Sequence, residues 1–348
     1  MTALPPKEAR PALTSLAALE AEGLLPEGSG LEDVAAAFRI RLTPEMRAAV
    51  AAPDDPVARQ FVPSAAERIV HPGDLADPIG DDAHMVASGL THRYADRAIL
   101  AVTRTCEVYC RFCFRRETVG GTGPLSDADL DAALAYLSRV PAVREVILTG
   151  GDPMSLSPRR LGAVLARLAA IPHLETLRLH TRVPVVAPAR IDAAMLAALE
   201  VEKPVWLVVH TNHAQELTPA ALAGLDRLRR AGVPLLAQTV LLKGVNDSAD
   251  ALEALFRALV RARVKPYYLH HCDPARGAGH FRTTLAEGQA IMAELRRRLT
   301  GIALPAYVLD IPGGHGKVPV GPVHLAPGPG GWVVTDPHGH THPYSDPA

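Results

Sequence analysis

The stretch that decides the fold is residues 99–113, Ile-Leu-Ala-Val-Thr-Arg-Thr-Cys-Glu-Val-Tyr-Cys-Arg-Phe-Cys, in which an apolar strand candidate leads into Cys106, Cys110 and Cys113. Three of the chain's four cysteines lie here, which suits a soft metal centre better than a disulfide framework. A cubane iron–sulfur cluster usually takes four cysteines, so three would leave one iron open to a small molecule. A zinc site completed by Cys272 or a histidine is the alternative.

Outward from this stretch, short apolar runs alternate with amphipathic helical segments. The runs are Ile99–Thr103, Glu145–Thr149, Thr176–Thr181, Val205–His210, Leu235–Leu241, Lys265–His271 and Ala306–Asp310. The helix candidates are Asp127–Ser138, Pro158–Ala170, Pro188–Leu199, Pro219–Ala231, Ala249–Arg261 and Leu285–Leu299. Apolar strands between helices are typical of a parallel sheet that is buried on both faces. Repeated right-handed βα units close into a full or partial barrel, or open into a doubly wound sheet.

Polar and glycine-rich segments collect where these predicted strands end. They include Thr149-Gly-Gly-Asp-Pro153, His180-Thr-Arg182, His210-Thr-Asn-His213, Asp273 and Asp310. In parallel α/β folds the carboxyl ends of the strands form the active-site face. The sequence therefore predicts one shared site on that face.

The composition and the flanking regions bound the class of protein. The chain has 348 residues, 48% of them hydrophobic, and a net charge of −1, which argues against nucleic-acid binding through overall charge. No apolar stretch is long enough to span a membrane and no signal peptide is evident, so a soluble cytoplasmic protein is expected. We predict a helical region over 1–90, a barrel over 91–310, and a lysine-bearing loop with a polar, flexible tail over 311–348.

The cysteine spacing, followed one βα unit later by Gly-Gly-Asp-Pro, resembles the radical S-adenosylmethionine (SAM) superfamily. From about Pro78 to the end, the chain resembles the lysine 2,3-aminomutase family. The matching motifs are Leu90-Thr-His-Arg-Tyr94, CxxxCxxCxRR, GGDP, Thr181-Arg-Val-Pro-Val185, His210-Thr-Asn-His213, Gln238-Thr-Val-Leu-Leu242, Gly244-Val-Asn-Asp247, Pro266-Tyr-Tyr268, Cys272-Asp273, Gly279-His-Phe-Arg282 and PGGxGK. The resemblance implies a partial (β/α)6-type TIM barrel of the radical SAM class, with an N-terminal helical region and a short C-terminal extension.

The resemblance also implies three cofactors. A [4Fe–4S] cluster would be held by Cys106, Cys110 and Cys113, with SAM on the open iron and beside Gly150, Gly151 and Asp152. Lys317 would form the Schiff base with pyridoxal 5′-phosphate (PLP), although by itself a lysine after a glycine loop is more often a surface charge. The residues implied to lie at PLP are Arg93, Tyr94, Arg97 and Gln238. His210 and Gln238 are implied to lie near SAM.

Substrate residues carry over from the same family. Arg115 resembles the arginine that binds the α-carboxylate of the substrate, and a planar guanidinium holds a carboxylate with two hydrogen bonds. Asp273 and Asp310 resemble the two aspartates that bind the ε-ammonium of lysine. Taken singly, each has an ordinary structural alternative, a solvated arginine or an aspartate in a cap or turn.

This sequence differs from the longer family members at positions that bear on zinc binding, on oligomeric assembly and on the branch of the family that it resembles. Ser248 follows Asn246-Asp247 where a zinc-binding cysteine is expected, and no cysteine follows Cys272, so we predict no structural zinc. The family's usual oligomeric assembly is therefore in doubt, and a homo-oligomer stays open. His270 stands where tyrosine is expected, and this histidine and the short length resemble the branch that makes β-lysine for elongation factor P. Asp310 and the glycine loop, in contrast, resemble the enzymes that act on free lysine.

The resemblance predicts an isomerase that interconverts L-lysine and β-lysine by 2,3-amino migration, using SAM, the cluster and PLP. A one-electron reductant such as flavodoxin or ferredoxin is implied, with no nucleic-acid or membrane partner. Three alternatives stay open: β-lysine supply for elongation factor P, a 2,3-aminomutase for another amino acid, and a metal-binding module without catalysis. Two aspartates in the substrate site argue against glutamate as the substrate.

Overall fold

The computed structural model describes residues 11–121, 123–329 and 331–347. The first ten residues, which belong to the predicted 1–90 region and to the segment in which a signal peptide was sought, lie outside this description. None of the described helices combines the length and the apolarity needed to cross a membrane.

The ten strands of the main sheet lie side by side in chain order. They are β1 (Met85–Ala87), β2 (Leu90–Tyr94), β3 (Arg97–Thr103), β4 (Glu145–Gly150), β5 (Thr176–Thr181), β6 (Val205–His210), β7 (Leu235–Leu241), β8 (Lys265–His271), β9 (Ala306–Asp310) and β10 (Lys317–Pro319). Strands β3 to β9 are parallel, whereas β1, β2 and β10 run antiparallel at the two edges. Within the described ranges β1 and β10 do not pair, so the sheet is an open, partial barrel, and that prediction is confirmed.

Helices precede the barrel and connect its parallel strands. They are α1 (Leu16–Ala21), α2 (Glu32–Ala37), α3 (Pro44–Ala49), α4 (Ala58–Phe61), α5 (Asp127–Arg139), α6 (Pro158–Ala169), α7 (Val183–Val186), α8 (Ala193–Leu199), α9 (Pro219–Arg230), α10 (Ala249–Arg261) and α11 (Leu285–Arg298). Helix α10 illustrates the local code: the Ser248 hydroxyl accepts a hydrogen bond from the Ala251 amide and caps its first turn. Its buried Leu252, Leu255 and Leu259 recur at helical spacing and face the sheet side of the core.

The N-terminal helices share one hydrophobic core with the barrel. Leu42, Met46 and Phe61 are fully buried in the same apolar cluster as residues of β3 to β9. A polar link adds to this packing, because the Thr43 hydroxyl donates to the Val186 carbonyl at 2.6 Å. These helices therefore brace the barrel from outside.

The C-terminal tail differs from the flexible segment predicted from its glycine, proline and histidine content. It contains a three-stranded antiparallel sheet, made of β11 (Leu325–Gly328), β12 (Gly331–Thr335) and β13 (Thr341–Tyr344). The Asp336 carboxylate orders the turn between β12 and β13, since it accepts from the His338 and His340 amides and lies 3.0 Å from Nε2 of His342. Composition alone missed this sheet because its strands are short and mostly exposed.

Candidate active site

One cavity of about 860 Å³ runs through the open barrel. Every residue that the sequence assigned to a cofactor or to the substrate lines it: Arg93, Tyr94, Arg97, Cys106, Cys110, Cys113, Arg115, Gly150, Gly151, Asp152, His210, Gln238, Asp273, Asp310 and Lys317. The cavity is longer than the carboxyl-end site predicted from the strand ends. It also reaches Arg97 and Glu145, the first residues of β3 and β4, because alternate side chains along each strand point into it.

The three cysteines follow β3 in a tight loop at one end of the cavity. The Cys113 amide donates to the Cys110 carbonyl at 3.0 Å, which turns the chain between the second and third thiols. Burial, together with Asp152 and the neighbouring cysteines, raises the pKa of Cys106 well above its usual range. Burial and Cys110 likewise raise the pKa of Cys113 to about 12. Three adjacent thiols with raised pKa values would ionise only beside a bound cation, and thiolates are the ligands that iron–sulfur clusters take.

Two glycines bring a second backbone segment against this loop. Gly150 has a φ of +105°, and a Cβ at Gly151 would collide with the Thr105 carbonyl oxygen. Only glycine permits an approach this close. The Asp152 carboxylate that follows accepts from the Thr181 hydroxyl at 2.7 Å and from the Arg182 amide at 2.6 Å. Burial raises the pKa of Asp152 to about 6.

The three cysteines have the chemistry of ligands to an iron–sulfur cluster, because they follow one strand in a single loop and all line the cavity. In a cubane each cysteine binds a different iron. Cys106, Cys110 and Cys113 would hold the cluster, and the glycine segment beside them leaves room for a small molecule at the fourth iron.

Lys317 also lines the cavity, where it is paired with Asp310 at the carboxyl end of β9. It begins β10, and the antiparallel register of β9 and β10 sets Lys317 opposite Asp310. The Lys317 Nζ contacts Asp310 Oδ2 and lies 3.2 Å from His270 Nδ1. Burial alone would raise the pKa of Asp310. Hydrogen bonding to His270 and the charge of Lys317 nevertheless hold this pKa below its usual range. Asp310 therefore already binds an ammonium group within the cavity.

Arg115 is likewise paired, with a carboxylate of the chain itself. Its Nε and Nη2 donate to Asp81 Oδ2 at 3.0 and 2.8 Å, and its Nη1 donates to the Thr149 hydroxyl at 3.2 Å. A guanidinium has five N–H donors, so two remain for a ligand. The sequence did not predict a role for Asp81, which immediately precedes the short 3₁₀ helix Asp82–His84 and stands in no motif. Asp81 fixes the orientation of Arg115.

Replacing Asp81 with alanine tests this orienting contact. Loss of a partly exposed ion pair costs about 0.5–1 kcal/mol, so the KM for a carboxylate-bearing substrate should rise about two- to fivefold while kcat changes little. Steady-state kinetics measure both constants. Asp82→Ala removes the same charge from the exposed neighbouring position and should leave KM unchanged. A KM that falls in Asp81→Ala would mean that Asp81 competes with the substrate for Arg115.

Asp273 faces the same cavity without a fixed partner. Its carboxylate has no hydrogen bond or ion pair to any other residue that the structure describes, although Asp310, Lys317 and Arg115 lie within electrostatic range. Burial, reinforced by Asp310, raises the pKa of Asp273 to about 7. An arriving cation would be stabilised by this carboxylate in its ionised form.

The residues assigned to PLP lie along β2, β3 and β7. The Arg97 guanidinium stacks on the Tyr94 ring at 3.8 Å, and that of Arg93 lies 5.3 Å from the same ring. Arg93 Nη1 donates to the Ile79 carbonyl, whereas its buried Nε has no partner among the described residues. A cationic pair with a spare donor suits a phosphate group.

His210 and Gln238 are register neighbours on β6 and β7. The His210 Nε2 lies 3.2 Å from Asn212 Oδ1, and its ring meets Phe112 edge-on at 5.7 Å. Burial and the nearby Arg182 lower the pKa of His210 well below its usual range, so the ring is neutral. In the strand order both residues lie between β3, which leads into the cysteine loop, and β10, which carries Lys317.

Sequence reasoning missed several polar residues that line the cavity. Arg178 and Glu145 form an ion pair of 2.7 Å across β5 and β4, and His180 presents a buried Nε2 that lacks a partner within the described ranges. A signal was present, because Thr176, Arg178 and His180 alternate with leucines along β5. Reading β5 as uniformly buried on both faces concealed that alternation.

A partial barrel with three cysteines after its first parallel strand and a glycine pair after the second defines the radical SAM class. The chain matches the family model of the radical SAM superfamily over residues 100–256. Among curated proteins it is 42% identical to L-lysine 2,3-aminomutase of Fusobacterium nucleatum over 78% of this chain and 64% of that protein. It is 43% identical to the putative L-lysine 2,3-aminomutase of Aquifex aeolicus, over 78% of this chain and 74% of that one.

The match to L-lysine 2,3-aminomutase of Clostridium subterminale extends furthest along this chain among these three, with 40% identity over 86% of this chain and 73% of that protein. The chain thus belongs to the lysine 2,3-aminomutase family, a family of isomerases, and the predicted resemblance is confirmed. It spans about two thirds to three quarters of the length of these relatives. The superfamily implies a [4Fe–4S] cluster and SAM.

Proposed function

We propose that this protein interconverts L-lysine and β-lysine by moving the 2-amino group to carbon 3. The observation that carries the proposal is the pairing of charges within one cavity: an ammonium, that of Lys317, contacts Asp310, and a carboxylate, that of Asp81, contacts Arg115. Free lysine presents those same two groups at its ends. Both subsites therefore have the chemistry that a diamino acid requires.

Arg115 and the two aspartates would fix the ends of the substrate. Arg115 retains two donors for the α-carboxylate, while Asp310 and Asp273 would share the ε-ammonium. Two carboxylates select against glutamate, whose side chain is anionic, and against amino acids too short to reach them. The residues thereby hold carbons 2 and 3 in one place, which turns the reaction into an oriented, intramolecular one.

The cofactor residues form two groups within the cavity. Cys106, Cys110 and Cys113 would hold the cluster, beside which Gly150, Gly151 and Asp152 would receive SAM, with His210 and Gln238 nearby. Lys317 would hold PLP through its ε-amino group, while Arg93 and Arg97 would bind its phosphate and Tyr94 would stack against the arginines. Bound together, the cofactors supply hydrogen abstraction and stabilisation of the resulting radical. The chain's own contribution is to bind, orient and exclude water.

Asp273 gives the proposed lysine site a pH dependence. With a pKa of about 7, its carboxyl is neutral at pH 6 and ionised at pH 8, so the ε-ammonium loses an anionic partner as the pH falls. A charged acceptor is worth about 1 kcal/mol more than a neutral one, so the lysine KM should rise about fivefold from pH 8 to pH 6. Asp273→Asn should show a high KM with little change across this range. A wild-type KM that is flat from pH 6 to 8 would contradict the assignment.

The proposed reaction is tested by an anaerobic assay of the reconstituted protein with SAM, PLP and dithionite. Lysine, ornithine, arginine and glutamate are supplied separately, and the β-amino acid product is quantified by mass spectrometry. We expect β-lysine as the main product and none from glutamate. Absence of every β-amino product, in protein whose iron and PLP contents are complete, would overturn the proposal.

A second use of the same product is supply of β-lysine for elongation factor P. His270, which contacts both Lys317 and Asp310, is the feature that favours this branch. Co-expression with elongation factor P and its ligase should then yield β-lysine attached to the factor, detected by intact mass. In either case we propose a cytoplasmic enzyme that takes one electron at a time from flavodoxin or ferredoxin.

A further inference from the structure

A buried ion pair lies directly behind the central cysteine. Arg182 follows β5, and its Nη1 donates to Cys110 Sγ at 2.7 Å. Its Nη2 donates to Glu216 Oε2 at 2.6 Å and to Gln60 Oε1 at 2.6 Å. The two charged side chains are 5% and 0% exposed. The cysteine sulfur is thus separated from a buried carboxylate by a single guanidinium.

The other carboxylate oxygen of Glu216 accepts three further hydrogen bonds. The amides of Asn212 and His213 each donate to Oε1 at 2.9 Å, and Gln60 Nε2 donates to it at 3.0 Å. Four groups, with Arg182, therefore satisfy this carboxylate inside the protein. Its negative charge has a fixed position.

Arg182 is fixed to the same degree. Its amide donates to Asp152 at 2.6 Å, and its guanidinium lies 4.7 Å from the Phe61 ring. Burial alone would lower the pKa of Arg182. Cys110 and Glu216 raise this pKa above its usual value, so the guanidinium stays charged. Replacing either Arg182 or Glu216 with a neutral residue leaves the other as an uncompensated buried charge near Cys110.

We propose that Arg182 and Glu216 set the reduction potential of the iron–sulfur cluster through the hydrogen bond to Cys110. Arg182 is a positioning residue, since it acts through a cysteine sulfur. This inference rests on the proposed function, in that it requires a cluster on Cys110. Hydrogen bonds and charges at cluster sulfurs are among the determinants of the potential.

The two charges act with opposite sign. Reduction adds one electron, so a cation beside the sulfur stabilises the reduced cluster and an anion destabilises it. Replacing Arg182 with glutamine removes the cation and should lower the potential. Replacing Glu216 with glutamine leaves the arginine uncompensated and should raise it. A residue that only supported the fold would not produce opposite shifts.

The test is a redox titration of the reconstituted holoprotein, with the reduced cluster followed by electron paramagnetic resonance. At fixed potential we expect the ratio of reduced to oxidised cluster to change about tenfold, downward in Arg182→Gln and upward in Glu216→Gln, which corresponds to about 59 mV each way for one electron. Arg182→Lys keeps the charge and should stay closer to the wild type. Arg229→Gln, which breaks a half-buried pair with Asp226 on α9, is the control.

The same samples distinguish a failure of this inference from a failure of the fold and from a failure of the proposed function. If Arg182→Gln loses iron because Glu216 is left unpaired, the double variant Arg182→Gln with Glu216→Gln removes both charges and should regain iron. In that case the direction of the potential shift in Glu216→Gln decides whether the inference holds. Potentials that stay at the wild-type value, or shift in one direction in both single variants, overturn the inference even if β-lysine forms. A wild-type cluster that makes no β-lysine overturns the proposed function, while the titration still judges the pair.

Discussion

Lys317→Ala is expected to abolish the conversion of lysine to β-lysine and to remove the visible absorption of protein-bound PLP. Lys317 contacts Asp310, and among the described residues that line the cavity it is the one lysine that could hold the cofactor covalently. Loss of a covalent catalytic group commonly lowers turnover by about 10³-fold or more. The anaerobic product assay and the PLP spectrum measure the two consequences.

The control for this variant is Lys243→Ala, which removes an exposed lysine far along the chain from the cysteine loop. It should keep both the spectrum and the activity. In Lys317→Ala the cluster should remain, because in the described part of the chain Lys317 contacts Asp310, His270 and Tyr268 and none of the three cysteines. Retention of the PLP band together with β-lysine formation in Lys317→Ala would refute the role of Lys317.

Asp310→Asn is expected to raise the KM for lysine by about tenfold or more. Its carboxylate is buried and already binds an ammonium in the cavity, so the substitution removes a charged contact worth about 1.5–3 kcal/mol. The effect should appear mainly in KM, measured at saturating SAM. Asn preserves the volume, which separates loss of charge from loss of packing.

Two measurements keep this result specific to the substrate. PLP absorption should persist in Asp310→Asn, which shows that Lys317 is still loaded. Asp250→Asn, at an exposed position on α10, should leave KM unchanged. If Asp310→Asn has a wild-type KM for lysine, then the ε-ammonium is bound elsewhere.

The architecture was largely predictable, because the features that specify it repeat. Seven apolar runs spaced by amphipathic helices correspond to β3 to β9, and their bounds differ by at most two residues. The cysteine loop could be predicted from the spacing of its cysteines after an apolar strand, whereas the role of Lys317 was implied only by the family resemblance. Such signals need no knowledge of long-range contacts.

The unpredicted features depend on contacts between distant segments. Asp81 meets Arg115 and Glu216 meets Arg182 only after the barrel has formed, and neither acidic residue stands in a recognisable motif. The alternation in β5 was visible, but apolar neighbours hid Arg178. The tail sheet was missed because composition describes solubility and not strand pairing.

The most direct test of the central claim follows the migrating nitrogen itself. The reconstituted protein is incubated anaerobically with SAM, PLP, dithionite and L-lysine labelled with ¹⁵N at the 2-amino group, and the product is examined by nuclear magnetic resonance. If the amino group migrates from carbon 2 to carbon 3 as proposed, the product is β-lysine with the label on the carbon 3 nitrogen. Label that stays entirely on carbon 2, in protein with a complete cluster and bound PLP, would contradict the proposed migration.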